Sequence, residues 1–205
     1  MIGIINYGMG NLGSIYNMLK KIRAEAMISS DPSKLGQTSK LILPGVGAFD
    51  NGIRNLEQMG LVPFLNEMVL KKKTPILGIC LGMQLFAKKS EEGDLPGLGW
   101  IDAEAVRFEP EDSKQKLLVP HMGWNLIEIA KEHKLFDKMF EMVKFYFVHS
   151  YHVQCNDPDD ILATAYHGRY FSAAIAKENL IGVQFHPEKS HKFGMKLMKN
   201  FVELC

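Results

Sequence analysis

Long apolar runs are missing from this 205-residue chain. No stretch approaches the ~18 residues that a membrane-spanning helix needs, so no transmembrane segment is expected. The opening residues Met1-Ile2-Gly3-Ile4-Ile5-Asn6 carry no basic cluster and no long apolar core, so no secretory signal is expected either. Cysteine is scarce. Cys80, Cys155 and Cys205 are odd in number and widely spaced, which argues against a disulfide framework and fits a reducing, cytoplasmic setting. Charge of one sign is also lacking: 24 Lys and Arg against 23 Asp and Glu give a net charge of +1. That balance offers no electrostatic footprint for nucleic acid or an anionic membrane. No C-x-x-C occurs, and His149 and His152, three apart on an expected strand, point to opposite faces. No metal centre and no cofactor are expected. Repeats and low-complexity segments are absent.

What is there has a globular composition. Hydrophobic residues make up 46%, enough to argue against disorder. A chain of this length can bury roughly 70% of its open surface, so residues 1–205 are expected to form one domain.

The first ninety residues alternate. Ile2–Ile5 is a short apolar run closed by the turn Asn6-Tyr7-Gly8-Met9-Gly10-Asn11, and Leu12, Ile15, Tyr16, Leu19 and Ile22 follow at helical spacing. Leu41-Ile42-Leu43 stops at Pro44-Gly45-Val46-Gly47, and Phe49, Ile53, Leu56 and Met59 form the next helical stripe, continued in helical style over Leu61–Leu70. Pro75–Ile79 reads as a third buried strand, with a helix over Leu81–Lys89. Strand–helix alternation of this kind predicts a parallel sheet with helices on both faces. Extended segments then dominate: 100–108, 117–129, 145–154, 161–166, 171–176 and 181–185, with a hairpin at Lys177-Glu178-Asn179. Pro110 to Lys116 is the most loop-like stretch, and helical period returns only with Phe193, Leu197, Phe201 and Leu204. The expected fold class is α/β: a parallel or mixed central sheet with flanking helices, an antiparallel β insertion and a closing helix.

Chemistry concentrates in few places. Gly78-Ile79-Cys80-Leu81-Gly82 lies where a buried strand meets a helix. A sharp strand-to-helix turn lifts its central side chain above the sheet edge, as in a nucleophile elbow, and a helix N-terminus favours a thiolate. A buried strand cysteine with incidental glycines fits this motif equally well. In Gln184-Phe185-His186-Pro187-Glu188, residues two apart on an extended chain share a face, so His186 and Glu188 can address one site. A thiol nucleophile needs a base, and the base an orienting acceptor; Cys80, His186 and Glu188 fill those roles. Gly45, Val46 and Gly47 end a parallel strand and can offer backbone N–H groups to an oxyanion, or can be a plain turn. Gly8-Met9-Gly10 is part of a dinucleotide fingerprint, but no acidic residue follows at the usual distance, Asp31 standing beside Pro32 in a loop. An interface or substrate-edge turn is the better reading. Trp100 and Trp124 read as core or rim anchors, and Lys71-Lys72-Lys73 as a solvated helix end.

Gly78–Gln84 and His186-Pro187-Glu188 together resemble the class I (triad) glutamine amidotransferases. More narrowly, five ordered motifs resemble the glutaminase subunits of imidazole glycerol phosphate synthases: Asn6–Leu12, Leu43–Phe49, Val119–Asn125, Tyr146–Tyr151 and Gly182–Ser190. The match runs end to end. The resemblance implies that Cys80 attacks the carboxamide of L-glutamine to give a γ-glutamyl thioester and ammonia. It implies His186 as base and acid, Glu188 as its orienter, and Gly45–Gly47 with Leu81 N–H as oxyanion hole. Gln84 with His149, Ser150 and Tyr151 would hold the amino-acid end. A (βα)8-barrel cyclase partner in a heterodimer would use the ammonia to make imidazole glycerol phosphate and AICAR in histidine biosynthesis. One departure is Asn6, where the family usually has Asp. Ser190-His191-Lys192-Phe193-Gly194 also resembles paralogues that supply ammonia for nucleotide-sugar or surface-polysaccharide amidination. A stand-alone cysteine hydrolase is the reading from another class, and Gln84 with the His149–Tyr151 strand disfavours it.

Overall fold

A computed structural model describes residues 1–110 and 116–205; most of the loop-like stretch 110–116 lies outside the described residues. The first half runs β1 (Ile2–Ile5), α1 (Leu12–Lys21), β2 (Ala26–Ser29), α2 (Pro32–Leu35), β3 (Lys40–Gly45), α3 (Phe49–Gln58) and α4 (Leu61–Asn66), which widens into a π-helical turn at Glu67–Lys71. Then come β4 (Ile76–Cys80), α5 (Leu81–Gln84), β5 (Lys89–Ser90), β6 (Ala103–Arg107), β7 (His121–Leu126), β8 (Glu128–Ile129), β9 (Lys144–His149) and β10 (Tyr151–Cys155). The chain closes with β11 (Ile161–Tyr166), β12 (Tyr170–Lys177), β13 (Leu180–Val183) and α6 (His191–Leu204).

Eight strands form one mixed sheet in the order β2-β1-β3-β4-β13-β12-β11-β8. β2, β1, β3, β4 and β13 pair in parallel, and β12, β11 and β8 extend the sheet antiparallel. Part of the expected antiparallel insertion is therefore a continuation of the main sheet. The remainder is a three-stranded sheet, β10-β6-β5, and the two-stranded ribbon β7-β9. The expected hairpin joins β12 to β13.

Period two sorts the buried strands between two cores. Ile4, Ile42, Leu77 and Ile79 face α1 and α6 residues such as Ile15, Leu19, Leu197 and Phe201. Ile5, Leu41, Leu43 and Ile76 face the opposite side, with Phe49, Leu56, Leu61 and Leu65 of α3 and α4. Burial of strands on both faces explains their unbroken apolar runs.

Local readings differ in four places. Asp31 is not in a plain loop: it caps α2, its carboxylate accepting from Ser33 N at 2.8 Å. The helix expected over Leu81–Lys89 ends at Gln84, and β5 begins at Lys89. The expected strand 145–154 breaks at Ser150, so His149 and His152 do not take opposite faces; both pack on Phe108, at 5.1 and 4.7 Å between ring centroids. β2 has three half-buried residues and an exposed one, Ile28, which left its periodicity weak. Among the described residues no helix is long and apolar enough to cross a membrane.

Candidate active site

Cys80 ends β4 and α5 starts at the next residue. Its backbone is strained, with φ 54° and ψ −110°, a conformation that costs a side-chain-bearing residue about 1–3 kcal/mol. The corner closes because backbone packs on backbone: a Cβ at Gly82 would collide with the Leu43 carbonyl. The two glycines of the motif thus set the turn, and the turn sets the thiol.

Parallel register assembles the rest at one sheet edge. Gly45 pairs with Cys80 across β3 and β4, and Val183 pairs with Ile79 across β13 and β4. The segment after β13 therefore emerges beside the thiol, as ligand-bearing segments do at the carboxyl edge of open α/β sheets. Gln184 Nε2 donates to Cys80 Sγ at 3.6 Å. His186 Nδ1 meets Glu188 Oε1 at 2.8 Å, both side chains almost wholly buried. A 3-10 turn over Pro187–Lys189 makes that pairing, not the strand alternation expected from spacing. Ser190 Oγ pins the turn by donating to the His186 carbonyl at 2.6 Å.

Burial is the largest influence on His186 and by itself disfavours its charged form. The neighbouring Cys80 and Glu188, the latter hydrogen-bonded at Nδ1, outweigh it and raise the pKa to about 10, while Nε2 makes no hydrogen bond of ordinary geometry among the described residues. The arrangement holds a proton beside a thiol, a requirement for both attack and departure of a leaving group.

A cavity of about 460 Å³ opens in front of Cys80. Val46, Gly47, Leu81, Gln84, His149, Ser150 and Tyr151 line it, so seven of the expected site residues share one wall system with the thiol. Gly45, His186 and Glu188 do not line it. Gly45 lies beneath, where a Cβ would stand 2.6 Å from Tyr7 Oη and 2.8 Å from Leu81 Cβ. His186 is buried, and Glu188 borders a separate depression beside Ser14 and Lys189. A larger cavity, about 880 Å³, lies between Ile129 and Leu204 and contains none of these groups.

Three residues at the site were not assigned by sequence. Tyr7 is fully buried and donates to the Pro44 carbonyl at 2.6 Å, bracing the strand end that carries Gly45. Burial, with the neighbouring Cys80 charge, pushes its phenol above the ordinary range. Gln184 lies two residues before His186, and extending the same two-residue spacing backwards would have found it. Glu92 brings a carboxylate into the cavity wall, where it accepts from Phe49 N at 2.8 Å. It lies in a loop without periodicity, so no sequence signal marked it. Elsewhere, Trp100 is a core residue, whereas Trp124 stacks on His191 at the surface. Lys71 pairs with Glu67 on an exposed helix end. Among the described residues no group of three or more His, Cys, Asp and Glu is arranged to hold a metal ion.

A family model for the class I glutamine amidotransferases matches residues 4–205. The chain is 53% identical, over 99% of both sequences, to imidazole glycerol phosphate synthase subunit HisH 2 of Methanococcus maripaludis. It is 52% identical over the whole of both chains to subunit HisH 2 of Pseudomonas aeruginosa. Among solved structures, a glutamine amidotransferase matches with a TM-score of 0.75 at 18% identity, covering 99% of this chain and 97% of that one. A glutamine amidotransferase from Thermotoga maritima matches with a TM-score of 0.64 at 20% identity, covering 98% and 80%. At such identities the solved structures speak for the fold alone.

Proposed function

The chain belongs to the class I glutamine amidotransferases, and on that premise we propose that it is the glutaminase subunit of an imidazole glycerol phosphate synthase. Full-length identity above 50% with two HisH subunits is the observation that carries this reading.

In this reaction Cys80 Sγ attacks the carboxamide carbon of L-glutamine. The carbonyl oxygen becomes an oxyanion, received by Leu81 N–H at the start of α5 and by the Gly45–Gly47 segment. The C–N bond breaks as His186 gives its proton to the departing ammonia, leaving a γ-glutamyl thioester on Cys80. Water then attacks the thioester, His186 takes the water's proton, and glutamate leaves with the thiol restored. Glu188, 2.8 Å from Nδ1, keeps the imidazole aimed. Gln84, His149, Ser150 and Tyr151 hold the amino-acid end, and the Glu92 carboxylate suits its ammonium group.

Ammonia freed into water at neutral pH would be protonated and lost as a nucleophile. A (βα)8-barrel cyclase in a heterodimer, sealed over the site, is therefore part of the proposal, with imidazole glycerol phosphate and AICAR as products. The Asn6–Asn11 turn and the Lys189–Ser190 segment are the expected contact surface for it, through exposed groups such as Gly8 and Lys189 and not through Tyr7 and Ser190, which are buried. Residues 1–205 act as one amidotransferase domain. A cytoplasmic setting fits three free cysteines.

The Ser190–Gly194 segment favours a second acceptor, a nucleotide sugar or polysaccharide unit amidated through a paralogous barrel. Steady-state glutamine hydrolysis, with and without each barrel and its ligand, tests both. Slow turnover alone and activation by orders of magnitude with the histidine-pathway cyclase is expected. Activation only by a sugar-amidation barrel moves the acceptor. Full turnover by the lone chain overturns the partner-gated reading and favours the stand-alone hydrolase.

A further inference from the structure

Behind the cavity wall runs a chain of hydrogen bonds whose direction is set by two backbone carbonyls. At its outer end Asn125 Nδ2 donates to the carbonyl of Tyr166 at 2.9 Å. A carbonyl only accepts, so this end of the amide is the nitrogen, and its second hydrogen faces His121 Nε2 at 3.2 Å. At the inner end His149 Nδ1 lies 2.8 Å from the carbonyl of Tyr151. That carbonyl too only accepts, so Nδ1 of His149 carries the proton and its Nε2 is bare. His121 Nδ1 stands 3.0 Å from that bare nitrogen and must donate to it. His121 is then an acceptor at Nε2, in agreement with the amide of Asn125. One proton arrangement satisfies every link: Asn125 to His121, His121 to His149, His149 to the Tyr151 carbonyl.

The same carbonyl accepts Gln84 Nε2 at 3.0 Å. Gln84 Nε2 also donates to Gln184 Oε1 at 3.1 Å, and Gln184 Nε2 donates to Cys80 Sγ at 3.6 Å. The Tyr151 carbonyl is thus held from two sides, by a histidine pair carried on the paired strands β7 and β9 and by amides leading to the thiol. Tyr151 opens β10 opposite Arg107 of β6, and the Ser150 carbonyl before it accepts from Phe108 N at 3.1 Å, so the bonds to the Tyr151 carbonyl brace the end of a ladder at the cavity wall.

We propose that His121 is a positioning residue for glutamine: in its Nδ1–H form it relays a directed hydrogen bond through His149 that fixes the Tyr151 carbonyl and the cavity wall. The proposal deepens the glutaminase reading and rests on it for its kinetic arm. Burial alone gives a bland rival, in which His121 is core filler, stacked 4.3 Å from His167 and tilted against Phe147 at 4.9 Å.

Two substitutions separate the two roles by rank. His121→Phe keeps the ring and its packing but loses the donor. His121→Asn loses volume but keeps an N–H near the place of Nδ1. The relay predicts that His121→Phe raises KM for glutamine about fivefold to tenfold, the usual worth of one hydrogen bond. kcat should stay within about twofold, and His121→Asn should recover most of the loss. The reverse rank, Asn worse than Phe, overturns the relay. Should His121→Phe fail to fold, ring-nitrogen NMR of the unsubstituted protein decides: Nδ1–H on both His121 and His149 is expected, and Nε2–H on either overturns the relay. The NMR arm needs no turnover. Absence of glutaminase activity in the unsubstituted chain with its barrel would count against the function, while the tautomers still judge the relay.

Discussion

His152 is the place where acid should loosen this protein. Its ring lies between Phe108 and Phe171, 2% exposed, at centroid distances of 4.7 and 5.9 Å. Neither ring nitrogen makes a hydrogen bond of ordinary geometry among the described residues. Burial lowers its pKa from 6.5 to about 4. In the unfolded chain the ring titrates near 6.5. A depressed folded pKa contributes stability that is fully present above pH 6.5 and is lost as pH falls towards 4. At pH 5 the unfolded form is almost wholly protonated at this site and the folded form is not, which favours unfolding by ~2 kcal/mol relative to pH 7. That is a large part of a typical total of ~5–15 kcal/mol. Two further rings push the same way. Burial lowers His121 to about 4, and it holds His149 well below the ordinary range. His152→Phe tests the account. It removes two unpartnered buried polar atoms and fills the same space, so stability at pH 7 should be unchanged or higher by ~1–2 kcal/mol. Between pH 7 and 5 the substituted protein should lose ~2 kcal/mol less than the parent. Urea denaturation at both values, followed by far-ultraviolet circular dichroism, reads the difference. An unchanged pH slope, or a loss of more than ~1 kcal/mol at pH 7, would refute the assignment.

Cys80→Ser should remove at least ~99% of glutamine hydrolysis with the circular dichroism spectrum unchanged. A glutamine-like electrophile, followed by peptide mass spectrometry, should label Cys80 and spare Cys155, whose thiol burial pushes up to about 12; label on Cys155 would contradict the nucleophile. His186→Ala should cost nearly as much as Cys80→Ser, and Glu188→Gln less. The losses should combine non-additively in the His186/Glu188 double variant, since the pair acts as a unit. Gly45→Ala places a methyl 2.6 Å from Tyr7 Oη and 3.0 Å from Gly82 N; a destabilisation of ~1–3 kcal/mol and a fall in kcat exceeding any change in KM are expected from denaturation and steady-state rates.

Much of this protein could be read before folding. Strand β4 and its glycine corner were legible because the corner is a local requirement: a Cβ at Gly78 would stand 2.8 Å from the backbone of Gly82 and Met83. The two cores were legible as well, since Ile4 against Ile5 and Leu41 against Ile42 follow the two-residue period of any strand. Other facts belong to the tertiary structure. Parallel register alone brings Gly45 and Gln184 beside Cys80, and no local rule states which strands are neighbours. The break at Ser150 turned His149 and His152 to one side, an outcome of the β9–β10 junction and not of residue spacing. Glu92 reaches the cavity from a loop, and His121 meets His149 because β7 pairs with β9 in that register. Sequence by itself determined the chemical groups and the turns that strain them, because those depend on a few adjacent residues. Tertiary structure decided which groups share a wall and which way their protons point, because that depends on partners far along the chain.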